Sequence, residues 1–343
     1  MDRIYYRPLV QTGPRRPEGA LPLAGGPCWF TQAEAISRTA PSRYIAAGDI
    51  PEPYLTRLTA PRPPLAGLDL SQPRIMGILN VTPDSFSDGG AHDSPEKAHV
   101  RALGMVEDGA DMIDIGGEST RPGAADVSVE EEIARTAPVI RALHEGKVGV
   151  PISIDTRKRA VAEAAVAAGA GLVNDVSGFT HDAALARYCV ENGLPVCIMH
   201  AQGDPETMQE DPRYDDVLLD VYDFLAAQVK MLEAAGLPRA RIIVDPGIGF
   251  GKRVGHNLAL LAGLSLFHSL GCAILLGVSR KGFIGKLGNA PAPQDRAPGS
   301  IAAGLAGVAQ GVQILRVHDV RETSQALALW QASTQGAEAS HDT

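Results

Sequence analysis

The chain has 343 residues, 45% of them hydrophobic and only 5% aromatic, so it can bury a large core but offers few aromatic platforms for stacking nucleic-acid bases. Its formal net charge of −9 argues against a surface that binds nucleic acid or an anionic membrane. The four cysteines form no C-x-x-C pair, the amino terminus has no apolar signal segment, and no apolar run approaches the roughly 20 residues that span a bilayer. We therefore expect buried thiols and a cytoplasmic location.

Residues 1–70 differ from the rest of the chain. They contain scattered prolines and show little hydrophobic periodicity, which indicates an N-terminal extension that packs on the main domain or is tethered to it. Within this extension, Thr31 is a candidate N-cap, and we predict one short helix from Thr31 to Arg38. The role of the extension is not evident from its sequence.

From Arg74 onward, short apolar strands alternate with alanine-rich helical stretches, a pattern typical of βαβ units. The predicted strands are Arg74–Leu79, Met112–Ile115, Ile152–Ile154, Leu172–Val173, Val196–Met199, Ile242–Val244, Ile274–Val278 and Ile314–Val317. The predicted helices span residues 95–109, 129–145, 158–168, 182–192, 215–235, 256–268, 296–310 and 320–333. A capping box, Ser128 to Glu131, opens the second helix.

Eight strands in strict alternation with helices predict an α/β fold, a (β/α)8 TIM barrel over residues 74–335, followed by a flexible tail at 336–343. The alternative is an open doubly wound sheet, which usually has fewer strands and a glycine-rich first turn that this chain lacks. We also expect residues 74–335 to fold without the extension, because all eight units lie inside that span.

Polar side chains follow almost every predicted strand, at the end where barrel enzymes build their active sites. These strand-end residues are Asn80, Asp114, Asp155, Asn174, His200, Asp245, Arg316 and His318, and the seventh strand runs into Ser279, Arg280 and Lys281. Single carboxylates at such positions also serve as helix caps or loop braces, and we assign Asp84, Asp175 and Asp319 to that role. The Gly-x-Gly-x-Gly run at 247–251 is interpreted as a turn.

The remaining strand-end residues sort by chemistry. Asp155, Asn174 and Asp245 suit a ring with a guanidine-like edge, because a carboxylate accepts paired N–H groups in a charge-assisted, bidentate way. The potentially cationic residues Lys281, Arg316 and His318, together with Asn80, can hold phosphate oxygens and a hard cation; Mg²⁺ takes few protein ligands and several substrate oxygens. No His/Cys cluster has zinc spacing, and no Ser-His-Asp set stands out.

At these residues the chain resembles the dihydropteroate synthase family. The matching stretches, which follow the family's order across the whole barrel, are MGILNVTPDSFSDGG (76–90), DIGGESTRPGA (114–124), ISIDT (152–156), VNDVSG (173–178), MHAQGDPETMQ (199–209), VDPGIGFGK (244–252), GVSRKGFIG (277–285) and RVHDVRET (316–323). The resemblance implies condensation of a dihydropterin diphosphate with p-aminobenzoate in folate synthesis, with Mg²⁺ as cofactor. The departure from the family is the extension, which is longer than the usual N-terminal lead.

The resemblance also implies roles for individual residues. The pterin would be held by Asp155, Asn174, Asp245 and Lys281, and the diphosphate with Mg²⁺ by Asn80 as the metal ligand, Arg316 and His318. The aminobenzoate pocket would be formed by Phe86, Asp88, Thr120, Arg121, Pro122 and Ser279, and the residues closest to the chemistry would be Lys281, Arg316, His318 and Asp88. The expected partners are these small molecules, without nucleic acid or membrane, and we expect a homodimer.

Two rival functions differ in the site that they need. A pterin-binding methyltransferase domain of the corrinoid type would share the acidic ligands, but the Ser-Thr-Arg-Pro loop and the Ser-Arg-Lys segment argue against it, and no chain is left for a cobalamin module. A pseudoenzyme that only binds pterins would have lost diphosphate or loop residues, and all of them are present.

Overall fold

The computed structural model of the chain describes residues 3–81, 94–119, 126–203 and 208–336. Its strands are β1 (Ile4–Pro8), β2 (Leu21–Pro22), β3 (Trp29–Phe30), β4 (Gln32–Ser37), β5 (Arg43–Ala46), β6 (Arg74–Asn80), β7 (Met112–Gly116), β8 (Ile152–Asp155), β9 (Leu172–Asp175), β10 (Val196–Met199), β11 (Ile242–Asp245), β12 (Ala273–Leu276) and β13 (Ile314–Val317). Its α-helices are α1 (Tyr54–Thr59), α2 (Ser94–Glu107), α3 (Val129–Glu145), α4 (Arg159–Ala168), α5 (Ala183–Glu191), α6 (Val217–Ala235), α7 (Val254–Ala262), α8 (Gly282–Leu287), α9 (Ala297–Val308) and α10 (Val320–Gln335).

Strands β6 to β13 close into one barrel in which every neighbouring pair is parallel, and β13 pairs with β6 to complete the ring. The predicted (β/α)8 fold is therefore confirmed. Two helical details of the barrel differ from the prediction. The stretch predicted at 256–268 divides at Gly263 into α7 and a 3-10 segment, Leu264–Leu270, and α8 was not predicted because six residues give too little periodicity.

The barrel strands are apolar runs because both of their faces are covered, one by the helices and the other by the barrel interior. All four residues of β11, for example, are buried. Ser128 caps α3 as predicted, since its hydroxyl accepts from the Glu131 amide at 3.2 Å, but the Glu131 carboxylate pairs with Arg135 rather than closing a capping box.

All four cysteines are free thiols and buried, as expected from the sequence. Burial raises the pKa of the Cys28 thiol to about 11, which keeps it protonated and inert. Within the described ranges, no helix is both long enough and apolar enough to cross a membrane.

The extension forms a small unit of its own on the outside of the barrel. Strands β1, β4 and β5 make an antiparallel sheet, β2 and β3 a second small sheet, and residues such as Leu23, Phe30 and Leu58 form an apolar cluster between them and α1. Polar contacts tie this unit to α6: the Tyr5 hydroxyl donates to Asp223 at 2.7 Å, and Arg38 pairs with Asp220 at 2.8 Å.

The predicted helix from Thr31 to Arg38 is wrong, because this segment contains strand β4. Its sequence alternates, with Ala33 and Ala35 buried and Gln32 exposed, which is the period of a strand rather than of a helix. The strand also pairs on both edges, with β1 and β5, so tertiary hydrogen bonding outweighs the helical preference of alanine.

The last residues before the barrel close its amino-terminal end. Leu65, Leu68 and Leu70 are buried in one cluster with inward-facing residues near the starts of the barrel strands, including Met112 and Ile314. Just upstream, the buried Arg62 guanidinium donates to the carbonyls of Cys272 (3.0 Å), His268 (3.2 Å), Arg57 (2.8 Å) and Ala60 (3.0 Å). That residues 74–335 fold alone stays a prediction, and this packing argues against it.

We predict that Leu70→Ala destabilises the whole barrel. Leu70 is 2% exposed, so its truncation leaves a cavity at the barrel floor and should cost about 2–5 kcal/mol of unfolding free energy. Urea unfolding followed by circular dichroism measures the effect, with Leu329→Ala, at a position 71% exposed on α10, as the matched control. Equal midpoints for the two variants would show that the leucine cluster does not hold the barrel closed.

Candidate active site

The predicted site residues of strands β6 to β9 lie in one row at the carboxyl end of the barrel. Asn80 pairs in register with Gly116, Gly116 with Asp155, and Asp155 with Asn174. An ideal Cβ at Gly116 would lie 3.7 Å both from the Asn80 amide oxygen and from a carboxylate oxygen of Asp155. The glycine therefore leaves the space between these two side chains open.

Strand periodicity explains why the site points into the barrel. Met112, Leu172, Ile243 and Ile314 belong to the apolar cluster inside the barrel, and the residues two positions later face the same way. Those inward-facing residues, one layer closer to the barrel mouth, are Asp114, Asn174, Asp245 and Arg316. The barrel interior thus has an apolar floor beneath a polar layer.

Arg316 and Asp114 form the centre of this polar layer. The Arg316 guanidinium donates through Nε to Asp114 at 2.6 Å and through Nη2 to Asp155 at 2.7 Å. The same Asp114 oxygen accepts from the Asn174 amide at 3.0 Å, while its second oxygen is buried without a hydrogen-bond partner among the described residues. Asp114 was noted in the sequence as a strand end but not assigned to the site, and the structure places it there.

The electrostatics of this layer favour a ligand that donates hydrogen bonds. Burial raises the pKa of Asp155 to about 7, and the nearby Asp114 charge adds to that effect, although Arg316 opposes it. Burial also raises the pKa of Asp245. Because burial disfavours the charged form of these groups, paired N–H groups from a ligand would stabilise the ionised carboxylates.

Asp245 and Lys281 lie at the opposite side of the mouth. One Asp245 oxygen accepts from the Gly247 amide at 2.7 Å, and an ideal Cβ at Gly277 would lie 3.5 Å from the other, so the glycine leaves room beside the carboxylate. The Lys281 ammonium lies 4.0 Å from the ring centroid of Phe250, in the loop after β11. Phe250 was not predicted as a site residue, although a single aromatic side chain in a glycine-rich loop was the available signal.

The loops after β12 and β13 are joined at two successive positions. The Ser279 hydroxyl lies 3.1 Å from the His318 amide, which donates to it, and 2.9 Å from His318 Nδ1. Arg280, which has a positive φ of 56°, pairs with Asp319 through two hydrogen bonds. These contacts fix the loops that carry Lys281 and His318, and they confirm Asp319 as a brace.

Asp175 is also a brace, as predicted. Its carboxylate accepts from the Ser177 amide and hydroxyl, both at 2.7 Å, and from the Phe179 amide at 2.8 Å. These bonds hold the turn after β9 and leave no role for Asp175 in binding a ligand.

Several predicted residues lie outside the described residues, namely Asp84, Phe86, Asp88, Thr120, Arg121 and Pro122. On either side of residues 120–125, the Glu118 carboxylate accepts a hydrogen bond from the Val127 amide at 3.0 Å. Glu118 is itself buried and paired with Arg157 (3.0 Å) and Lys158 (3.1 Å). Within the ranges that the structure describes, no three His, Cys, Asp or Glu side chains are placed to hold a metal ion.

Comparison with known proteins places this geometry in a family. The family model described as "Pterin binding enzyme" matches residues 76–318. The chain is 48% identical over 266 residues to dihydropteroate synthase of Escherichia coli (strain K12), an alignment that covers 78% of this chain and 93% of that protein.

Two solved structures are similar over the same part of the chain. One is Yersinia pestis dihydropteroate synthase with a sulfonamide drug complex, at 47% identity and a TM-score of 0.73, covering 78% of this chain and 96% of that one. The other is Xanthomonas albilineans dihydropteroate synthase in complex with 7,8-dihydropteroate, at 44% identity and a TM-score of 0.71, covering 78% and 95%.

We predict that Asp114→Asn lowers the pKa of Asp155. The Asp114 charge raises that pKa, so its removal should bring the value down from about 7. Carbon-13 NMR of labelled aspartate carboxyls measures the titration, and Asp108→Asn, at an exposed position after α2, is the control. An unchanged Asp155 titration would contradict the coupling of the two carboxylates.

Proposed function

Because the chain belongs to the dihydropteroate synthase family of pterin-binding enzymes, we propose that the polar layer in its barrel mouth holds the substrates of that reaction. The protein is a transferase of folate biosynthesis. It condenses 6-hydroxymethyl-7,8-dihydropterin diphosphate with p-aminobenzoate to give 7,8-dihydropteroate and diphosphate. What we propose is which of its residues bind each substrate.

The pterin ring is held by Asp155, Asn174, Asp245 and Lys281. A pterin presents a 2-amino group and a ring N–H along one edge, which matches the paired acceptors of a carboxylate. Support comes from the raised pKa values of Asp155 and Asp245, because N–H donors that reach these buried carboxylates favour the ionised form and lower the pKa again. The open space beside Gly277 gives a flat ring access to Asp245.

The diphosphate is held by Arg316 and His318, with Asn80 and Mg²⁺. The donor set fits a hard cation, since Asn80 supplies one amide oxygen at the mouth and the diphosphate supplies others. When bound, Mg²⁺ would neutralise part of the charge that develops on the leaving diphosphate. Arg316 would have to exchange one of its carboxylate partners for the diphosphate, and Asp155 becomes available to the pterin when it does.

The aminobenzoate pocket is formed by Ser279 together with Phe86, Asp88, Thr120, Arg121 and Pro122 of the two loops outside the described residues. Ser279 lies where the loop after β12 meets His318, so the second substrate would sit beside the diphosphate. The Yersinia pestis enzyme is known with a sulfonamide drug, and because sulfonamides share the aniline group of p-aminobenzoate, this supports binding of the second substrate by the chain. The chain is a sulfonamide target for the same reason.

The reaction breaks the bond between the pterin methylene carbon and the diphosphate oxygen, and the electron pair leaves with the diphosphate. The aniline nitrogen then bonds to the methylene and loses its proton to solvent. Lys281, Arg316, His318 and Asp88 would stabilise the departing charge or order the reacting groups, which is electrostatic and positional catalysis. A neutral aniline needs little help from a base, and the described part of the mouth positions none for it.

Two further expectations accompany this function. A cytoplasmic location is supported by four buried cysteines that remain free thiols, as in a reducing compartment. The chain is also proposed to form a homodimer, a prediction that sedimentation analysis can test.

The observation that carries the proposal is the inward-facing layer of Asp114, Asn174, Asp245 and Arg316, with Asp155 bonded to Arg316. With pterin diphosphate, p-aminobenzoate and Mg²⁺, the protein should release diphosphate and form dihydropteroate in equal amounts. Omitting p-aminobenzoate should stop dihydropteroate formation. Pterin binding without turnover would instead favour the pseudoenzyme.

We predict that Asp245→Asn weakens pterin binding about ten- to a hundredfold, because it removes the charge from a buried, charge-assisted pair worth about 1.5–3 kcal/mol. Isothermal titration calorimetry with the pterin measures the affinity, and Asp108→Asn again serves as the surface control. If Asp245→Asn binds the pterin as tightly as the unmodified protein, Asp245 is not a pterin ligand.

A further inference from the structure

Lys252 and His200 form a buried pair that the reaction described above does not use. His200 directly follows strand β10, and Lys252 directly follows the glycine-rich run 247–251 that the sequence analysis interpreted as a turn. Both side chains are buried, with Lys252 3% and His200 7% exposed. Burying a lysine ammonium costs free energy, so its hydrogen bonds must offset that cost.

The Lys252 ammonium has three acceptors and uses each of its three N–H donors on one of them. They are His200 Nδ1 at 2.9 Å, the His200 carbonyl at 3.2 Å and the Phe250 carbonyl at 3.0 Å. When Lys252 is protonated it can only donate, so His200 Nδ1 then accepts and the ring is neutral with its proton on Nε2. Burial likewise lowers the pKa of His200 to about 3, which agrees with a neutral ring.

None of these three acceptors is a carboxylate, so the Lys252 ammonium has no direct ion-pair partner among the described residues. Burial accordingly lowers the pKa of Lys252 to about 7, against a smaller opposing effect of Asp245. The neutral ring that receives Lys252 is itself fixed, with Phe224 edge-on at 5.0 Å and Tyr214 at 5.9 Å between centroids. Groups with perturbed ionisation in a fixed setting concentrate at functional sites.

The pair joins the loop after β11 to the chain after β10, where the two backbones touch. A Cβ at Gly247 would lie 1.9 Å from the His200 carbonyl oxygen, and one at Gly251 would lie 2.4 Å from the Gln202 carbonyl oxygen. Both glycines also have positive φ, 68° and 60°. The Tyr214 hydroxyl adds a hydrogen bond to the Gly251 carbonyl at 2.8 Å. The loop therefore follows one path, with Lys252 at its end.

This loop path reaches the active site through Phe250. The Phe250 carbonyl accepts from Lys252, and the Phe250 ring lies 4.0 Å from the Lys281 ammonium. The neighbouring Gly249 is also close, since an ideal Cβ there would lie 3.1 Å from Lys281 Cδ. Displacement of the Phe250 backbone would thus move the surface on which the Lys281 side chain rests.

We propose that Lys252 is a positioning residue that sets Phe250 and, through its ring, the Lys281 side chain. The catalytic consequence rests on the proposed pterin-binding role of Lys281, whereas the geometric consequence does not. Lys252 would not touch the substrate; it acts through Phe250 and Lys281, by orienting the Lys281 side chain. Misplacing a substrate-binding group can lower the reaction rate by up to about a hundredfold.

The test uses the ring current of Phe250 as a direct reporter on Lys281 in the substrate-free protein. In carbon-13 lysine-labelled protein, the Lys281 side-chain methylene signals, assigned with Lys281→Arg, should be shifted upfield by the ring. In Lys252→Met that shift should shrink, and kcat/KM for diphosphate release should fall about ten- to a hundredfold. Lys286→Met, which removes an exposed lysine from α8, is the matched control and should change neither quantity.

Lys252→Gln is a milder variant for the case in which Lys252→Met does not fold. The glutamine amide can still donate to the Phe250 carbonyl, so the Lys281 signals should show an intermediate shift. Unchanged Lys281 signals in either folded variant would overturn the proposal, whatever the activity. Expected signal shifts in the substrate-free protein, combined with no diphosphate release when the substrates are added, would overturn the proposed function instead, so the two failures are distinguishable.

Discussion

The structure depends on one electrostatic constraint, the burial of the three carboxylates Asp114, Asp155 and Asp245 in the barrel mouth. Asp114 and Asp155 share the single guanidinium of Arg316, and Asp245 is held by a backbone amide. A buried charge that is incompletely paired destabilises the protein by several kcal/mol. In the ligand-free protein this penalty appears as the raised pKa of Asp155. A ligand with paired N–H donors would relieve it, and the proposed pterin edge is such a ligand.

Everything around this layer serves to keep it in place. The barrel register aligns the strand ends, and an apolar layer beneath them fills the barrel interior. The loops above are joined in pairs, β12 to β13 through Arg280 and Asp319, and β10 to β11 through Lys252. Leu65, Leu68 and Leu70 close the opposite end. Rigid support of this kind is what electrostatic catalysis requires, since the charges must not move with the reaction.

The sequence allowed the barrel to be predicted because its strands are fully apolar and its helices periodic over many turns. The extension was harder: the six residues of β4 alternate, yet their alanines also suit a helix, and only pairing with β1 and β5 decides between the two. Asp319 and Asp175 were correctly interpreted as braces because both begin turns or helices, where carboxylates usually bond to nearby groups.

Contacts between distant strands could not be predicted in the same way. Asp114 and Asp245 look alike in the sequence, since both follow apolar residues. Where both faces of a strand are buried, the sequence does not show which residues face the barrel interior, so the contact between Asp114 and Arg316 could not be predicted. Lys252 was missed for a related reason, because its partner His200 lies 52 residues earlier in the chain. Local sequence patterns do not predict which of several buried polar groups contact each other.

The central claim, that buried carboxylates recognise the N–H edge of the pterin, is tested most directly by changing that edge in the ligand. Calorimetry can compare 6-hydroxymethylpterin with an analogue that carries oxygen in place of the 2-amino group. Losing a donor to a buried carboxylate should weaken binding about ten- to a hundredfold, since it leaves the charge without its partner. Equal affinities for the two ligands would contradict the account.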